Sequence, residues 1–223
     1  MKIDILTLHP AMFAPLQSSI IGRAHDEGLI EINLVNIRDY GLGKYHQVDD
    51  TPYGGGSGMV MRVDVVHKAI EAHRKEMSLV LLMDPVGTPF QQEHARSLSV
   101  AEHLIIVCGH YEGIDSRIRE YFIDHAYSIG DFVLTGGELA AMVIVDATCR
   151  LITGVLGNSD SLTTESFEDG LLEHSTYTRP QVYLEHKVPD ILLSGHHRKI
   201  EEFRAEDAQK VTSKYRSDLL GKS

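Results

Sequence analysis

Short apolar runs alternate with helical patterns through the first two-thirds of this 223-residue chain. Four runs rich in β-branched residues and leucine are typical of strands, and they span residues 2–8, 29–37, 79–83 and 104–108. Four segments with helical composition and spacing follow them in turn, at residues 12–27, 64–76, 91–100 and 114–122. The alternation predicts an α/β fold with a mostly parallel sheet flanked by helices. The second run alternates polar and apolar residues, which favours a position near the sheet edge.

The chain changes composition after one more helix. Residues 137–152 are apolar and begin at a Thr-Gly-Gly turn, which predicts a longer helix, whereas residues 157–166 are polar and lack periodicity. We therefore predict three parts: a first domain over residues 1–156, an interdomain linker over 157–170 and a small helical domain over 171–223. In the last part, apolar residues between 199 and 215 lie near one face of a helix.

Charge is distributed unevenly between these parts. The formal net charge is −11, which weighs against a polyanionic partner because nucleic-acid affinity depends on lysine and arginine at phosphates. Residues 1–170 carry 12 Lys and Arg against 24 Asp and Glu, whereas residues 171–223 carry nine against eight. If the chain binds RNA, we expect phosphates to be least repelled by the second domain.

Several protein classes are excluded by composition. No apolar run approaches the ~20 residues that cross a bilayer, and the chain does not open with a cationic and then apolar leader. The two cysteines, Cys108 and Cys149, lack the spacing of zinc ligands and allow at most one disulfide. We expect a cytoplasmic protein with no membrane partner, no disulfide scaffold and no metal site, in which Cys149 is a small core residue.

Glycine-containing segments follow several predicted strands. Residues 83–89, 108–115 and 128–138 fall where parallel strands end, which is the usual ligand edge of such a sheet, and together they predict a shared pocket. Glu112 and Asp131 are either partners for hydroxyl or amine groups or solvated turn acids. The segment PYGGGSGM at residues 52–59 lacks a phosphate-loop ending, and it is either a ligand loop or a flexible surface loop.

Three charged residues near the domain boundary are further candidates. Arg150 lies in an apolar helical stretch, where an arginine either reaches water or finds an anionic partner. Glu165 and Asp169 lie in the polar linker, where an acid is usually solvated.

Seven segments, read in order, resemble the TrmD family of bacterial tRNA (guanine-N1)-methyltransferases. They are VDDTPYGGGSGM at residues 48–59, CGHYEGID at 108–115, SIGDFVLTGGEL at 128–139, GVLG at 154–157, GLLE at 170–173, YTRP at 177–180 and LSGHH at 193–197. The match runs from Met1 to about Arg204. Any one motif could arise by chance, but seven in register indicate this family.

The resemblance implies a trefoil-knotted domain of the SPOUT class, a rare exception to the rule that chains avoid knots. It implies a homodimer with active sites at the subunit interface, and methyl transfer from S-adenosylmethionine to N1 of guanosine 37 in tRNA, with guanosine 36 as the usual recognition element. Carried over residue by residue, the methyl donor is held by Pro85, Gly109, Tyr111, Glu112, Ile129, Gly130, Asp131, Phe132, Val133, Leu134, Gly136 and Gly137.

The resemblance also assigns catalytic roles. Guanine N1 carries a proton at neutral pH, so a base is needed, and the family's catalytic aspartate falls at Glu165, with Asp169 as a less favoured substitute. Arg150 would stabilise the negative charge that grows on O6. The donor is a sulfonium and needs no metal for activation. Magnesium is reported to assist in the family, although the sequence shows no site for it.

The chain departs from the family pattern in four residues and in its length. Besides Glu165, Thr51 replaces a usual arginine and leaves one RNA phosphate contact in doubt, Ala140 replaces a proline and Phe132 a tyrosine. The segment after residue 170 is short for the family, which predicts a smaller RNA-binding surface.

Three other functions stay open. The first is a knotted methyltransferase with another RNA target, against which the YGGGSGM and YTRP segments argue. The second is a binder of S-adenosylmethionine or RNA without catalysis. The third, a generic nucleotide-binding domain, is disfavoured because the chain has no phosphate-loop lysine.

Overall fold

The computed structural model describes residues 1–157 and 165–221 of the chain. The chain divides into two compact units, Met1–Gly157 and Asn158–Ser223. The central part of the predicted linker, residues 158–164, lies outside the described residues.

The first unit alternates strands and helices. In chain order its elements are β1 (Lys2–Thr7), a 3₁₀ helix (Pro10–Gln17), α1 (Ser19–Asp26), β2 (Glu31–Asn36), a 3₁₀ turn (Ile37–Tyr40), β3 (Asp49–Asp50), β4 (Val60–Met61), α2 (Val63–His73), β5 (Ser78–Pro89), α3 (Gln92–Ser99), β6 (His103–Cys108), α4 (Ser116–Tyr121), β7 (His125–Ser128) and α5 (Glu138–Cys149).

Five of these strands form one sheet in the order β2-β1-β6-β5-β7, and every neighbouring pair is parallel. The predicted parallel sheet is confirmed, and β2 lies at an edge as its alternating pattern indicated. β3 and β4 pair separately and antiparallel. The fifth strand of the sheet, β7, was not predicted, because its sequence His-Ala-Tyr-Ser is short and only half apolar.

Apolar side chains fill both faces of the sheet, so successive strand residues belong to different cores. On one face Leu104 and Ile106 of β6 pack in a cluster that includes residues of α1, α3 and α5. On the other face Ile105 and Val107 pack with residues of α2. All six residues of β6 are buried, as expected for a central parallel strand covered by helices. Cys149 is buried in the first cluster, which confirms it as a core residue.

The helix expected over residues 12–27 is wrong as a single element. The chain forms a 3₁₀ helix that contains Pro15, takes an extended conformation at Ser18 and only then begins α1. Proline lacks a backbone N–H and disfavours the helical conformation in the residue before it, so an uninterrupted α-helix cannot pass through Pro15 at low cost.

The second unit contains a hairpin of two short strands, β8 (Val182–Tyr183) and β9 (His186–Lys187). It also contains one long helix, α6 (His197–Tyr215), which is flanked by 3₁₀ turns at Asp190–Leu193 and Ser217–Leu219. The helix predicted over residues 199–215 is therefore confirmed. Among the described residues of this unit only Thr212 is buried; its hydroxyl donates to Ala208 O and accepts from Leu172 N–H. Nowhere in residues 1–157 or 165–221 is a helix long and apolar enough to cross a membrane.

Candidate active site

A cleft opens where β6 and β7 end and where β5 is interrupted after Met83, at the carboxyl edge of the parallel sheet. Its volume is about 470 Å³, within the range of small-molecule sites. Residues 83–86, 109–114 and 128–137 supply most of its lining. The prediction that the three strand-end segments share one pocket is confirmed.

The first wall of the cleft comes from an irregularity in β5. Met83 and Thr88 are both in register with Tyr127 of β7, so the residues between them have no partner there. A Cβ on Gly87 would lie 2.5 Å from the carbonyl carbon of Ala126, so only glycine lets β7 approach this closely. The displaced residues Asp84, Pro85 and Val86 line the cleft.

The second wall depends on close backbone contact before α5. Gly137 N–H donates to Gly109 O at 2.8 Å, and His110 pairs with Gly136. A Cβ on Gly137 would lie 2.9 Å from Cys108 Cα, inside van der Waals contact. The Thr-Gly-Gly turn is thus seated against the end of β6, which brings the 128–137 loop to the cleft.

The third wall is the loop after β7. The Ser128 hydroxyl donates to Gly130 O at 3.1 Å, and Gly130 takes φ 151°, which is open to glycine. This turn directs the chain toward Phe132 and Val133, whose side chains are 54% and 90% exposed. Two apolar side chains are therefore held at the mouth of the cleft and exposed to solvent.

The glycine-rich loop at residues 52–59 ends beside this cleft. Glu112 N–H donates to Met59 O, and Met61 N–H donates to Gly113 O, which ties the loop to the 109–114 wall. At Gly58, with φ +90°, an added Cβ would overlap the Glu112 side chain. None of residues 52–59, all of which the structure describes, lines the cleft, so both alternatives for this segment stay open.

Carboxylates dominate the charge around the cleft. Asp84 and Glu112 line it, and Arg119 of α4 lies 3.7 Å from Asp84. Behind it the Glu138 carboxylate is 1% exposed and accepts a 2.8 Å hydrogen bond from the Thr7 hydroxyl. Burial, together with Glu138, raises the pKa of the Cys108 thiol, so that sulfur stays protonated. The site suits a ligand that is cationic and partly apolar.

Eleven of the twelve residues predicted to hold the methyl donor line this cleft, and Asp131 does not. Sequence reasoning missed Ser116 and Arg119 of α4, as well as Tyr127, whose pKa burial raises. The position of α4 directly after the 108–115 segment could have indicated the first two.

The catalytic candidates are divided between the units. Arg150 is half-buried at the end of α5 in the first unit. Glu165 and Asp169 belong to the second unit; Glu165 is half-buried, its carbonyl accepts from Glu168 N–H, and Asp169 is exposed. Within the two described stretches, no group of three or more His, Cys, Asp or Glu could hold a metal ion.

The second unit has an open cleft of its own, with a volume of about 960 Å³. The YTRP segment at residues 177–180 lies in the wall of this cleft. Arg179 and Arg204 are the arginines among the described residues that line it. Tyr177 lines the same cleft and is 50% exposed. Exposed aromatic and arginine side chains are the groups that RNA-binding surfaces use.

Comparison with known proteins gives a consistent result over nearly the whole chain. Residues 1–222 match the family described as tRNA (Guanine-1)-methyltransferase TrmD. A tRNA (guanine-N(1)-)-methyltransferase of Carboxydothermus hydrogenoformans is 53% identical over 221 residues, covering 99% of this chain and 87% of that protein. Proteins of the same name from Clostridium botulinum and Staphylococcus carnosus are each 52% identical, covering 100% of this chain and 92% and 91% of their own.

Proposed function

Because this chain belongs to the TrmD family of tRNA (guanine-1)-methyltransferases, we propose that it methylates N1 of guanosine 37 in tRNA beside guanosine 36. The reaction class follows from the family: the chain is an S-adenosylmethionine-dependent tRNA (guanine-N1)-methyltransferase. The match over almost the full length of its relatives is the observation that carries this conclusion. The choice of guanosine 37, with guanosine 36 as its neighbour, rests on the family resemblance.

The cleft at the carboxyl edge of the parallel sheet is the proposed donor site. S-adenosylmethionine supplies an electrophilic methyl group on a sulfonium sulfur. The cleft suits such a molecule, because Glu112 and Asp84 favour its positive charges. Ile129 and Leu134 offer apolar contacts, and the backbone of the glycine turns offers hydrogen bonds. Asp131 remains a proposed donor contact on the resemblance alone.

Glu165 is the proposed general base, and Asp169 the less favoured one. The Glu165 carboxylate accepts the N1 proton of guanine, which makes N1 nucleophilic at neutral pH, an effect of roughly 10²- to 10⁴-fold. Arg150 faces the negative charge that develops on O6. Exposed Asp169 has less reason to be held in one orientation than half-buried Glu165.

A homodimer of knotted, SPOUT-class subunits is the proposed assembly, with each active site combining the donor cleft of one chain and Glu165 of the partner subunit. The resemblance supports the knot and the interface. Two further observations support association: α5 exposes Leu139 and Val143, and the second unit has almost no buried side chain among its described residues. Exposed apolar groups of this kind are typical of interfaces.

The second unit is the proposed tRNA-binding domain, with boundaries at residues 157–170 for the linker and 171–223 for the domain. Its arginine-bearing cleft and its nearly balanced charge support this role. The proposed location is the cytoplasm, and the tRNA substrate supports it. Magnesium assistance is proposed on the resemblance only, and loss of activity in EDTA that magnesium restores would support it.

Methyl transfer to defined transcripts tests the proposal. Label from S-adenosylmethionine should enter a tRNA with guanosine at 36 and 37, and should not enter a copy with adenosine at 37. Nuclease digestion and mass spectrometry should then find N1-methylguanosine. Label in both transcripts would keep the enzyme but discard the site. Donor binding without label in either would favour a non-catalytic binder, and a methylated ribose would mean another RNA target.

A further inference from the structure

Two histidines are in ring contact at the rim of the donor cleft. His9 follows β1 and His110 follows β6, and because these strands are parallel neighbours, both residues come to the same edge of the sheet. Their ring centroids are 4.8 Å apart and the planes are tilted by 52°. His110 lines the cleft, while His9 is exposed. Through His110, the pair therefore adjoins the donor cleft.

The hydrogen bonds of the pair leave donors available. Tyr111 N–H donates to His110 Nδ1 at 3.0 Å, so the neutral His110 ring carries its proton on Nε2. The backbone N–H of His9 donates to the Thr7 hydroxyl. Within residues 1–157 and 165–221, the ring nitrogens of His9 have no hydrogen-bond partner. Each ring can thus offer one N–H to a ligand.

The surroundings make these donors valuable to an anionic substrate. Among the described residues that line the cleft, Arg119 is the only arginine or lysine, and it faces Asp84 at 3.7 Å. Glu112 adds a further carboxylate. A phosphate that approaches this rim is repelled by the two carboxylates, whereas the two histidines offer it hydrogen-bond donors. Phosphate contacts are the groups that fix a nucleic acid in register on a protein.

We propose that His9 and His110 together bind one phosphate of the tRNA anticodon loop and so position the target guanosine over the donor cleft. The inference rests on the proposed tRNA substrate. Both rings donate an N–H to oxygens of the same phosphate, and their contact fixes the spacing of the two donors. The pair is a positioning device and takes no part in proton transfer at N1.

Replacing both rings by phenylalanine tests the proposal, because the His9→Phe, His110→Phe double variant keeps two contacting rings and removes their N–H groups. The measurements are methylation kinetics on the transcript with guanosine at 36 and 37, and S-adenosylmethionine affinity by calorimetry. We expect KM for tRNA to rise about tenfold or more with an unchanged donor Kd.

His67→Phe is the matched control, because His67 of α2 also stacks, at 4.0 Å on Phe122, but does not line the cleft. It should keep the wild-type KM. An unchanged KM in the double Phe variant would overturn the proposal. The proposal would also be overturned if the His9→Ala, His110→Ala double variant raised KM for tRNA while the double Phe variant did not, because ring packing and not the N–H groups would then be responsible. A weakened donor Kd would assign the pair to the donor. A wild type that methylates no tRNA would overturn the proposed function as well.

Discussion

The two units of the chain differ sharply in how they bury apolar side chains. In the first unit, helices cover both faces of the sheet, and Leu104, Ile105 and Ile106 are at most 1% exposed. In the described part of the second unit only Thr212 is buried, whereas Tyr183 and Tyr215 are 67% and 64% exposed. Folding of the first unit is stabilised by its own core. The described part of the second unit has no buried core of comparable size.

This contrast matches the proposed division of labour. A rigid edge of a well-packed sheet is suited to hold a small donor in one orientation. A unit with a small core can adapt to a large RNA and carry a base to it. Variants in one unit should therefore change different steps from variants in the other.

The largest effect is expected in the second unit, from Glu165→Gln. The amide keeps the size of the side chain but cannot accept the N1 proton, so turnover should fall by at least about 100-fold. Donor affinity, measured by calorimetry, should stay near wild type because the donor cleft belongs to the first unit. Asp169→Asn is the matched control and should be far less damaging. Unchanged turnover in Glu165→Gln would remove this residue from the mechanism.

Cavity-forming variants test the difference in burial directly. Leu104→Ala removes a fully buried side chain and should lower the free energy of unfolding by about 2–5 kcal/mol. Leu192→Ala makes the same change at a half-buried position of the second unit and should cost about 1 kcal/mol or less. Urea unfolding followed by circular dichroism measures both. Equal losses of unfolding free energy would mean that Leu192 is packed as tightly in the second unit as Leu104 is in the first.

Two glycine variants separate loop strain from contact with the donor site. Gly58→Ala and Gly54→Ala both place a side chain at positive φ, +90° and +86°, but only the first overlaps Glu112. We expect Gly58→Ala to weaken donor binding about tenfold, or 1.4 kcal/mol, by displacing Glu112. Gly54→Ala, with nothing within 4 Å of the new Cβ, should stay within about twofold. Similar donor affinities would remove Glu112 from the donor site.

Acid should weaken the first unit through His103. Burial lowers the pKa of this histidine, although the 3.0 Å hydrogen bond to Asp4 opposes the shift. Below about pH 6.5 the unfolded chain then binds a proton that the folded chain does not. The free energy of unfolding therefore decreases as the pH is lowered, by up to about 1.4 kcal/mol per pH unit. Urea unfolding between pH 7 and 5 measures this slope.

His103→Gln should flatten the slope, while His25→Gln at an exposed position should keep it. A stability that rises as the pH falls would contradict the direction of the shift.

Local patterns predicted the sheet, because strands such as β6 carry their signal in consecutive apolar residues, here Leu104 to Cys108. They failed where distant contacts decide the conformation: β7 is a strand only through its pairing with β5. The same limit applies to the site. Gly58 meets Glu112 across more than fifty residues, and no spacing rule indicates that contact. Glu165 was singled out as a base by family resemblance, because a linker acid has no local signal of catalysis.

Mixing two complementary variants tests the proposed active site, in which the donor cleft and the base come from different subunits. With S-adenosylmethionine well below its Kd, Glu165→Gln homodimers should be nearly inactive and Glu112→Ala homodimers should keep about a tenth of wild-type methylation. After subunit exchange, the mixture should reach about a quarter of wild-type methylation, because half of the dimers are mixed and each has one complete site. A mixture no more active than its separate components would mean that each chain builds its own active site.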